Sequence, residues 1–215
     1  MTGQDDLATI LETGVVAIVR LDSGEQLIRV ADAVRAGGVR AIEFTMTTPG
    51  ALAALEMANL ELGEDVVFGA GTVLDAETAR AAVHAGARFI VAPTLRRETL
   101  ETCRRYSVLA IPGAFTPTEI LTAWEWGADL VKVFPATALG PQYFRDILAP
   151  LPQIRLVPTG GVSLENVRDF VRAGAVAVGV SSHLVDRQTV ADEAWARLTD
   201  RARALVAAVA EARRG

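Results

Sequence analysis

The sequence of 215 residues predicts an α/β fold, a single (β/α)8 TIM barrel with a C-terminal helix. Three observations lead to this prediction. Short apolar runs alternate with segments of helical spacing, which is typical of parallel sheets covered by helices. The runs are apolar at consecutive positions, as expected for strands buried on both faces. Eight such units favour closure into a barrel over an open sheet.

The predicted strands are rich in β-branched and other apolar residues, and each is followed by a segment of helical spacing. In chain order, strands are predicted at residues 15–19, 41–45, 66–69, 89–91, 109–111, 130–134, 155–157 and 175–180. Helices are predicted at residues 25–36, 51–62, 76–85, 98–106, 117–126, 143–148, 164–173 and 189–213. Glycines such as Gly86 and Gly174 precede the next strand and are expected to end helices in a left-handed conformation.

These elements predict one domain that spans residues 1–215. An open, doubly wound sheet is the competing architecture. Its Gly-x-Gly-x-x-Gly fingerprint is missing after the first strand. The nearest match, Gly69-Ala70-Gly71-Thr72, follows the third strand and lacks the third glycine, so the barrel is favoured.

Composition excludes several classes of function. The net charge is −5 and no basic patch is visible, so nucleic acid is not an expected partner. No apolar run reaches the roughly 18 residues of a membrane span, and the first residues are too polar for a secretory signal. The single cysteine, Cys103, allows no intramolecular disulfide. His84 and His183 lie far apart in the order of elements, so no metal site is expected. Together these features predict a cytoplasmic enzyme, and no cofactor is expected.

The chain has 20 arginines but only one lysine, Lys132. A guanidinium stays protonated in proteins and cannot act as a neutral amine. Lys132 lies within an apolar predicted strand, where desolvation should lower its pKa. A neutral amine near pH 7 is what a Schiff-base nucleophile requires. The alternative is a strand lysine held in a structural ion pair.

Polar and glycine residues collect where the predicted strands end, which is the rim that carries the active site in (β/α)8 barrels. In chain order, the residues at the strand ends, which also include a proline and a phenylalanine, are Arg20; Glu43, Thr45 and Thr47; Gly71 and Thr72; Pro93; Gly113; Lys132 and Phe134; Thr159, Gly160 and Gly161; and Ser181 and Ser182.

Glu43 is a second charge inside an apolar strand, and buried charges are rarely tolerated unpaired. Its simplest partners are Lys132 and Arg20. A carboxylate beside a lysine is suited to proton transfer, although a purely structural counter-ion is the alternative. Arg20 could pair with Glu43, hold a substrate carboxylate or lower the pKa of Lys132.

Gly160 and Gly161 join the seventh strand to a predicted helix, and Gly179, Ser181 and Ser182 fall on the loop after the eighth strand. Glycines let backbone N–H groups approach an anion, and a helix N-terminus favours negative charge. Loops after strands seven and eight are the recurrent phosphate site of such barrels. The alternative is a tight turn without a ligand.

Five motifs resemble those of the 2-keto-3-deoxy-6-phosphogluconate aldolases, a class I family that is often bifunctional as 4-hydroxy-2-oxoglutarate aldolase. The resemblance runs from about residue 15 to residue 185. The motifs are Gly37-Gly38-Val39-Arg40-Ala41-Ile42-Glu43, Gly69-Ala70-Gly71-Thr72-Val73, Ile111-Pro112-Gly113, Val131-Lys132-Val133-Phe134-Pro135-Ala136 and Pro158-Thr159-Gly160-Gly161-Val162.

The resemblance implies a role for each matching residue. Lys132 would form the Schiff base and Glu43 would be the general acid/base. The pyruvate-derived part of the substrate would contact Arg20 and Thr72. The resemblance also implies a homotrimer that needs no metal and serves sugar-acid catabolism. The remaining implied residues are Pro93, Phe134 and Thr159 in the pocket wall, and Gly160, Gly161 and Ser182 at the phosphate.

The implied reaction is cleavage of 2-keto-3-deoxy-6-phosphogluconate to pyruvate and glyceraldehyde 3-phosphate. Two departures from the family bear on the substrate. Thr47 stands where some members have arginine, and Ser181, another predicted phosphate-loop residue, stands where glycine is common. The same chemistry on the galactonate epimer, a non-phosphorylated sugar acid or 4-hydroxy-2-oxoglutarate is one alternative. A non-covalent phosphate-binding isomerase and a non-catalytic small-molecule sensor are the others.

Overall fold

The computed structural model describes residues 3–214, so residues 1, 2 and 215 of the predicted domain lie outside the described part. Within residues 3–214 there are nine β-strands and ten α-helices. The strands are β1 (Val15–Val19), β2 (Ala41–Thr45), β3 (Val67–Gly71), β4 (Phe89–Val91), β5 (Leu109–Ile111), β6 (Gly113–Ala114), β7 (Val131–Val133), β8 (Leu156–Pro158) and β9 (Val178–Val180). The helices are α1 (Gly3–Thr13), α2 (Leu27–Ala36), α3 (Ala51–Leu62), α4 (Ala76–His84), α5 (Arg97–Tyr106), α6 (Pro117–Glu125), α7 (Gly140–Leu148), α8 (Val167–Arg172), α9 (Arg187–Ala191) and α10 (Trp195–Arg214), with a 3₁₀ turn at Ala136–Ala138.

The strands pair in parallel, as the sequence predicts, and form a curled sheet. Six strands follow the order β5-β4-β3-β2-β1-β9, and three follow the order β6-β7-β8. Two backbone contacts join the sets. The Lys132 N–H donates to the Pro112 carbonyl at 2.9 Å, and an isolated parallel bridge joins Thr159 to Gly179. The carboxyl ends of all the strands therefore share one rim.

Apolar side chains pack on both faces of the strands. In β1, Val16 belongs to an inner cluster with Phe89, whereas Val15 and Val19 belong to an outer cluster packed against the helices. All five residues of β1 are buried. This two-sided burial explains why the strands read as continuous apolar runs in the sequence.

Helix α1 closes the amino end of the curled sheet, a role that the sequence analysis did not predict. Ile10 is fully buried in the inner cluster, with Leu7 and Leu11 packed against it. The buried carboxylate of Asp6 forms an ion pair with Arg88, which precedes β4. The inner cluster is thus sealed at the end opposite the functional rim.

The structure corrects several predicted boundaries. The predicted C-terminal helix at 189–213 is two helices, α9 and α10, separated by a turn in which Glu193 has a φ of 51°. The short strand β6 and the helix α1 break the predicted strict alternation of eight strands and eight helices. Gly179 lies within β9 and pairs with Val16, so it is not part of the following loop as predicted. Among the described residues, no helix is both long and apolar enough to span a membrane.

Candidate active site

Lys132 and Glu43 project into the same small space inside the curled sheet. Lys132 is the middle residue of β7 and is 6% exposed; Glu43 is the middle residue of β2 and is 1% exposed. Together with Thr159 and Gly179 they border a cavity of about 10 Å³, which is room for about one water molecule. The remaining residues around this cavity are Val16, Ile18, Val91, Ile111 and Val157. The two predicted reactive groups are therefore brought together in apolar surroundings.

Burial displaces the pKa values of both groups toward their neutral forms. The pKa of Lys132 is lowered mainly by desolvation; the charge of Glu43 opposes this shift, and the positive charge of Arg20 adds to it. The pKa of Glu43 is raised by desolvation, against the opposing charges of Lys132 and Arg20. Desolvation thus moves the pKa values of the lysine and the carboxyl group toward each other, which suits proton exchange between them.

One oxygen of Glu43 has no hydrogen-bond partner in the described residues. Its Oε1 atom is buried and unpaired, and it packs against the backbone of Gly71 in β3. Unpaired buried acceptors are rare in native proteins and each calls for an explanation. An acceptor kept open for a substrate proton or for an ordered water provides one.

Arg20 and Thr72 directly follow β1 and β3, the two strands that flank β2. The Arg20 guanidinium donates a hydrogen bond to Thr72 Oγ1 at 3.2 Å. Thr72 has a φ of 57°, a left-handed conformation that is uncommon for a β-branched residue and costs about 1–2 kcal/mol. Such outliers cluster at binding and catalytic sites, so the pair is suited to hold an anionic group above Glu43.

Phe134 and Pro93 occupy the same rim. Phe134 follows β7 and is 36% exposed, and its ring centre lies 5.0 Å from the Lys132 ammonium nitrogen. Pro93 follows β4, and its carbonyl lies so close to Gly113 that no side chain would fit there. An apolar wall with an exposed ring beside the amine can shield an imine from water.

The two predicted phosphate loops follow neighbouring strands. The bridge between Thr159 and Gly179 places the start of each loop side by side. Gly160 and Gly161 have φ values of 93° and 72°, which glycine adopts without strain. Ser181 is half-buried and Ser182 is exposed after β9.

One expectation about the first phosphate loop needs correction. The predicted helix at 164–173 starts with a turn, and α8 begins at Val167, six positions after Gly161. Asn166 holds the intervening turn, because its amide donates to the Gly161 carbonyl at 2.8 Å and accepts from the Ser163 N–H at 2.9 Å. An anion at this loop would therefore meet the backbone N–H groups of the glycines rather than the start of α8.

The sequence places Gly71 and Gly179 near the predicted rim, but it does not predict that they make room for other side chains of the site. Gly179 lacks a side chain where Thr159 Oγ1 packs, and Gly71 does the same for Glu43. A glycine in a strand signals close packing, but it does not say which side chain approaches. Within residues 3–214, no group of three or more His, Cys, Asp or Glu side chains could hold a metal ion. Surface recesses of about 370 and 410 Å³ lie elsewhere, next to α1 and between α2 and α10.

Comparison with known proteins is consistent with this geometry. A model of the family described as KDPG and KHG aldolase matches residues 7–201. KDPG stands for 2-keto-3-deoxy-6-phosphogluconate and KHG for 4-hydroxy-2-oxoglutarate. The chain is 37% identical to a 2-dehydro-3-deoxy-phosphogluconate aldolase of Treponema pallidum, over 86% of this chain and 88% of that protein. It is 33% identical to a 2-dehydro-3-deoxy-6-phosphogalactonate aldolase of Escherichia coli, over 79% of this chain and 83% of that protein.

Solved structures are also similar to this chain over most of its length. A structure described as native KDPGal has a TM-score of 0.88 and 31% identity, covering 94% of this chain and 96% of its own. A KDPG aldolase of Legionella pneumophila, with pyruvate captured as a covalent carbinolamine, has a TM-score of 0.85 and 29% identity, covering 93% and 97%. A carbinolamine is the adduct that an amine forms with a ketone before it loses water.

Proposed function

The chain belongs to the KDPG and KHG aldolase family and is a class I aldolase, and we propose that Lys132 forms its Schiff base and Glu43 moves its protons. The observation that carries this proposal is that the only lysine of the chain is buried in β7 at the same small cavity as Glu43. Imine formation requires a neutral primary amine, and in this chain only Lys132 offers one on a side chain.

The first half of the reaction joins substrate and protein. The Lys132 amine attacks the C2 ketone of the substrate and gives a carbinolamine. Glu43, whose raised pKa favours the protonated form, passes a proton from the nitrogen to the oxygen at C2. It then gives its own carboxyl proton to the resulting hydroxyl, which leaves as water, and Glu43 becomes a carboxylate. The product is a cationic imine that withdraws electrons from C3. Acid/base assistance of this kind is typically worth about 10²–10⁴-fold.

The second half breaks the carbon–carbon bond. Glu43 removes the proton of the C4 hydroxyl, the C3–C4 bond breaks, and its electron pair moves into the imine to form an enamine. The C4–C6 part leaves as an aldehyde. A proton then adds to C3, and water releases pyruvate and the free amine. Arg20 and Thr72 would hold the carboxylate next to C2 throughout, since they lie at the rim directly after the strands beside Glu43.

We propose 2-keto-3-deoxy-6-phosphogluconate as the substrate, so that the aldehyde is glyceraldehyde 3-phosphate. The two glycines with positive φ and the serines after β9 support a phosphate at the far end of the substrate. The galactonate epimer is the second candidate, favoured by the likeness to the Escherichia coli phosphogalactonate aldolase. Pro93, Phe134 and Thr159 would line the space between the imine and the phosphate.

Further proposals concern the assembly. We propose that the two strand sets close into one eight-stranded barrel, in which β5 and β6 count as a single strand interrupted at Pro112, and that this barrel forms a single domain over residues 1–215. The contacts between the two sets support this proposal. A homotrimer is supported by large apolar side chains exposed at the surface, such as Leu60 at 82% and Leu74 at 53%. A cytoplasmic location is consistent with the buried free thiol of Cys103.

The test uses the single lysine. The protein is incubated with pyruvate and borohydride, which reduces an imine to a stable secondary amine, and the adduct is mapped by mass spectrometry. We expect a pyruvyl adduct on Lys132 and none in Lys132→Arg, which keeps the charge but removes the nucleophile. Aldolase activity should be lost in the same variant.

The chain's α-amino group is the internal control, because it is the only other primary amine. Adduct spread over both amines, or trapping that survives in Lys132→Arg, would refute the role of Lys132. Loss of turnover without loss of trapping would assign Lys132 a place outside the covalent step.

A further inference from the structure

A recess of about 370 Å³ opens beside α1, at the end of the strands opposite the rim. It lies where the start of α1 meets the end of α5 and the turn that leads into β7. These segments pack closely, since a β-carbon on Gly3 would lie 3.9 Å from the Leu109 side chain. Among the described residues, none lines both this recess and the small cavity at Lys132. The volume of the recess falls within the range of small-molecule sites, about 300–1,000 Å³.

Apolar side chains form the floor of the recess. Leu100 and Leu109 are almost fully buried, whereas Leu7 and Val108 are half-buried and keep part of their surface open. Covering this surface with the apolar part of a ligand removes it from water, which favours binding. The floor is therefore suited to a hydrocarbon group.

Two opposite charges, Arg104 and Asp129, line the same recess but do not pair with each other. Within residues 3–214, no salt bridge or side-chain hydrogen bond involves the Arg104 guanidinium. A β-carbon on Gly127 would lie 3.6 Å from one of the guanidinium nitrogens, so the group extends over this glycine. The guanidinium is therefore available to an anionic group of a ligand.

Asp129 is held in place by the neighbouring strand β5. Its Oδ2 atom accepts from the Ala110 N–H at 2.8 Å, and its own N–H donates to the Ala110 carbonyl at 3.0 Å. Desolvation raises the pKa of this carboxyl group, against the opposing effects of the Ala110 hydrogen bond and the charge of Arg155. A carboxylate has about four lone-pair sites, so Asp129 can accept from a ligand while it keeps its bond to Ala110. A cationic group in the recess would offset the cost of burying this charge.

We propose that the recess binds a small zwitterion with an apolar side chain, of the class of leucine and phenylalanine, with its carboxylate on Arg104 and its ammonium group on Asp129. Two opposite charges that do not neutralise each other are the complement of such a molecule. A simple carboxylate would be repelled by Asp129, and a simple amine would be repelled by Arg104, so each would gain only one attraction. The site is separate from the aldolase reaction and does not depend on it.

The experiment is calorimetric titration of the full chain with leucine and with phenylalanine. Saturable binding at concentrations below about 10 mM is expected for at least one of them. Isocaproate and isoamylamine keep the hydrocarbon part of leucine but lack its ammonium group and its carboxylate, respectively. Each should bind at least about tenfold more weakly than leucine, because one charged hydrogen bond is lost. No saturable binding of either amino acid would overturn the proposal, and so would binding of isocaproate as tight as that of leucine.

Two substitutions locate the ligand. Arg104→Gln and Asp129→Asn should each weaken binding of the amino acid at least about tenfold. The amide of Asp129→Asn can still accept from the Ala110 N–H, and thermal unfolding checks that both variants are folded. Arg105→Gln is the matched control, since it removes the same charge from an exposed neighbouring position outside the recess and should leave binding unchanged.

Saturating pyruvate separates the recess from the rim. Because the two lie at opposite ends of the strands, pyruvate should leave the affinity for the amino acid unchanged. Competition by pyruvate would place the amino acid at the rim and overturn the proposal. Unaltered affinity in Arg104→Gln or in Asp129→Asn would overturn it as well.

Discussion

The carboxyl group of Glu43 occupies the space that a side chain on Gly71 would fill. A β-carbon at position 71 would lie 2.2 Å from Glu43 Oε1 and 2.6 Å from the carboxyl carbon. β2 and β3 are paired over their whole length, so neither strand can move to relieve such a contact. The absence of a side chain at position 71 therefore sets where the proposed proton-transfer group, Glu43, lies relative to Lys132.

Gly71→Ala is expected to displace the Glu43 carboxyl group and lower kcat by at least about 10²-fold, the usual worth of a general acid/base. The control is Gly69→Ala on the same strand, where the new β-carbon would lie 2.5 Å from the ring of Phe89. That variant should lose about 1–3 kcal/mol of stability through overpacking but keep its turnover per folded molecule. Kinetics and thermal unfolding measure both, and equal loss of kcat in the two variants would contradict the link between Gly71 and Glu43.

Glu43→Gln tests the proton-transfer role without changing the size of the side chain. An amide cannot take up the C4 hydroxyl proton, so turnover should fall at least about 10²-fold. Imine formation uses the Lys132 amine, so borohydride trapping of pyruvate should persist at long incubation times. Steady-state kinetics and mass spectrometry separate the two steps. Near-normal turnover would remove Glu43 from the mechanism.

The pKa of Lys132 should respond in opposite directions to two neighbouring substitutions. The negative charge of Glu43 raises this pKa and the positive charge of Arg20 lowers it. Glu43→Gln should therefore move the pH at which Lys132 becomes reactive downward, and Arg20→Met should move it upward. Because the free amine is the reactive form, the reaction rate rises as the pH rises through the lowered pKa.

The measurement for this pair is the rate at which an amine-acylating reagent modifies Lys132 at each pH. The α-amino group of the chain reports its own titration in the same sample and serves as the reference. Shifts of the same sign in both variants would mean that changes in burial, rather than the charges of Glu43 and Arg20, control the lysine.

A phosphate site predicts a preference for the phosphorylated substrate, and a negative charge placed at that site should weaken this preference. The protein should have a higher kcat/KM for the phosphorylated sugar acid than for its unphosphorylated analogue. Ser182→Asp places a negative charge at the proposed phosphate and should lower this ratio at least about tenfold by repulsion. Ser107→Asp adds the same charge after α5, at the opposite end of the strands, and should leave the ratio unchanged. Equal kcat/KM for both substrates in the unaltered protein would refute a phosphate site.

The sequence predicts the parallel α/β architecture and the residues at the rim because both depend on local patterns. The runs at 15–19, 41–45, 89–91 and 109–111 coincide with β1, β2, β4 and β5. The single lysine stands out because composition makes it conspicuous. Contacts between distant segments are harder to predict. Neither the packing of Gly71 against Glu43 nor the hydrogen bond from the Leu21 N–H to Thr48 leaves a periodic signal.

Helix α1 illustrates the same limit. Its first residues are polar and acidic, so they give no sign of a core element. Only the tertiary structure shows that Ile10 fills the inner cluster and that Asp6 meets Arg88, which is 82 positions away in the sequence. A polar segment can seal an apolar core when its few apolar residues fall on one face.

The ion pair between Asp6 and Arg88 gives the last prediction, which concerns stability alone. The two side chains are 6% and 19% exposed, so Asp6→Ala removes the hydrogen-bonded partner of a largely buried guanidinium and leaves it the charge interaction with Asp5. Breaking such a pair should lower the free energy of unfolding by about 3 kcal/mol. Glu101→Ala removes a partner from the exposed pair with Arg97, at 54% and 65% exposure, and should cost less than about 1 kcal/mol. Denaturant unfolding measures both, and the activity per folded molecule should stay unchanged because α1 lies at the end opposite Lys132. A loss of kcat in Asp6→Ala would mean that the seal at the amino end also holds the rim in its active geometry.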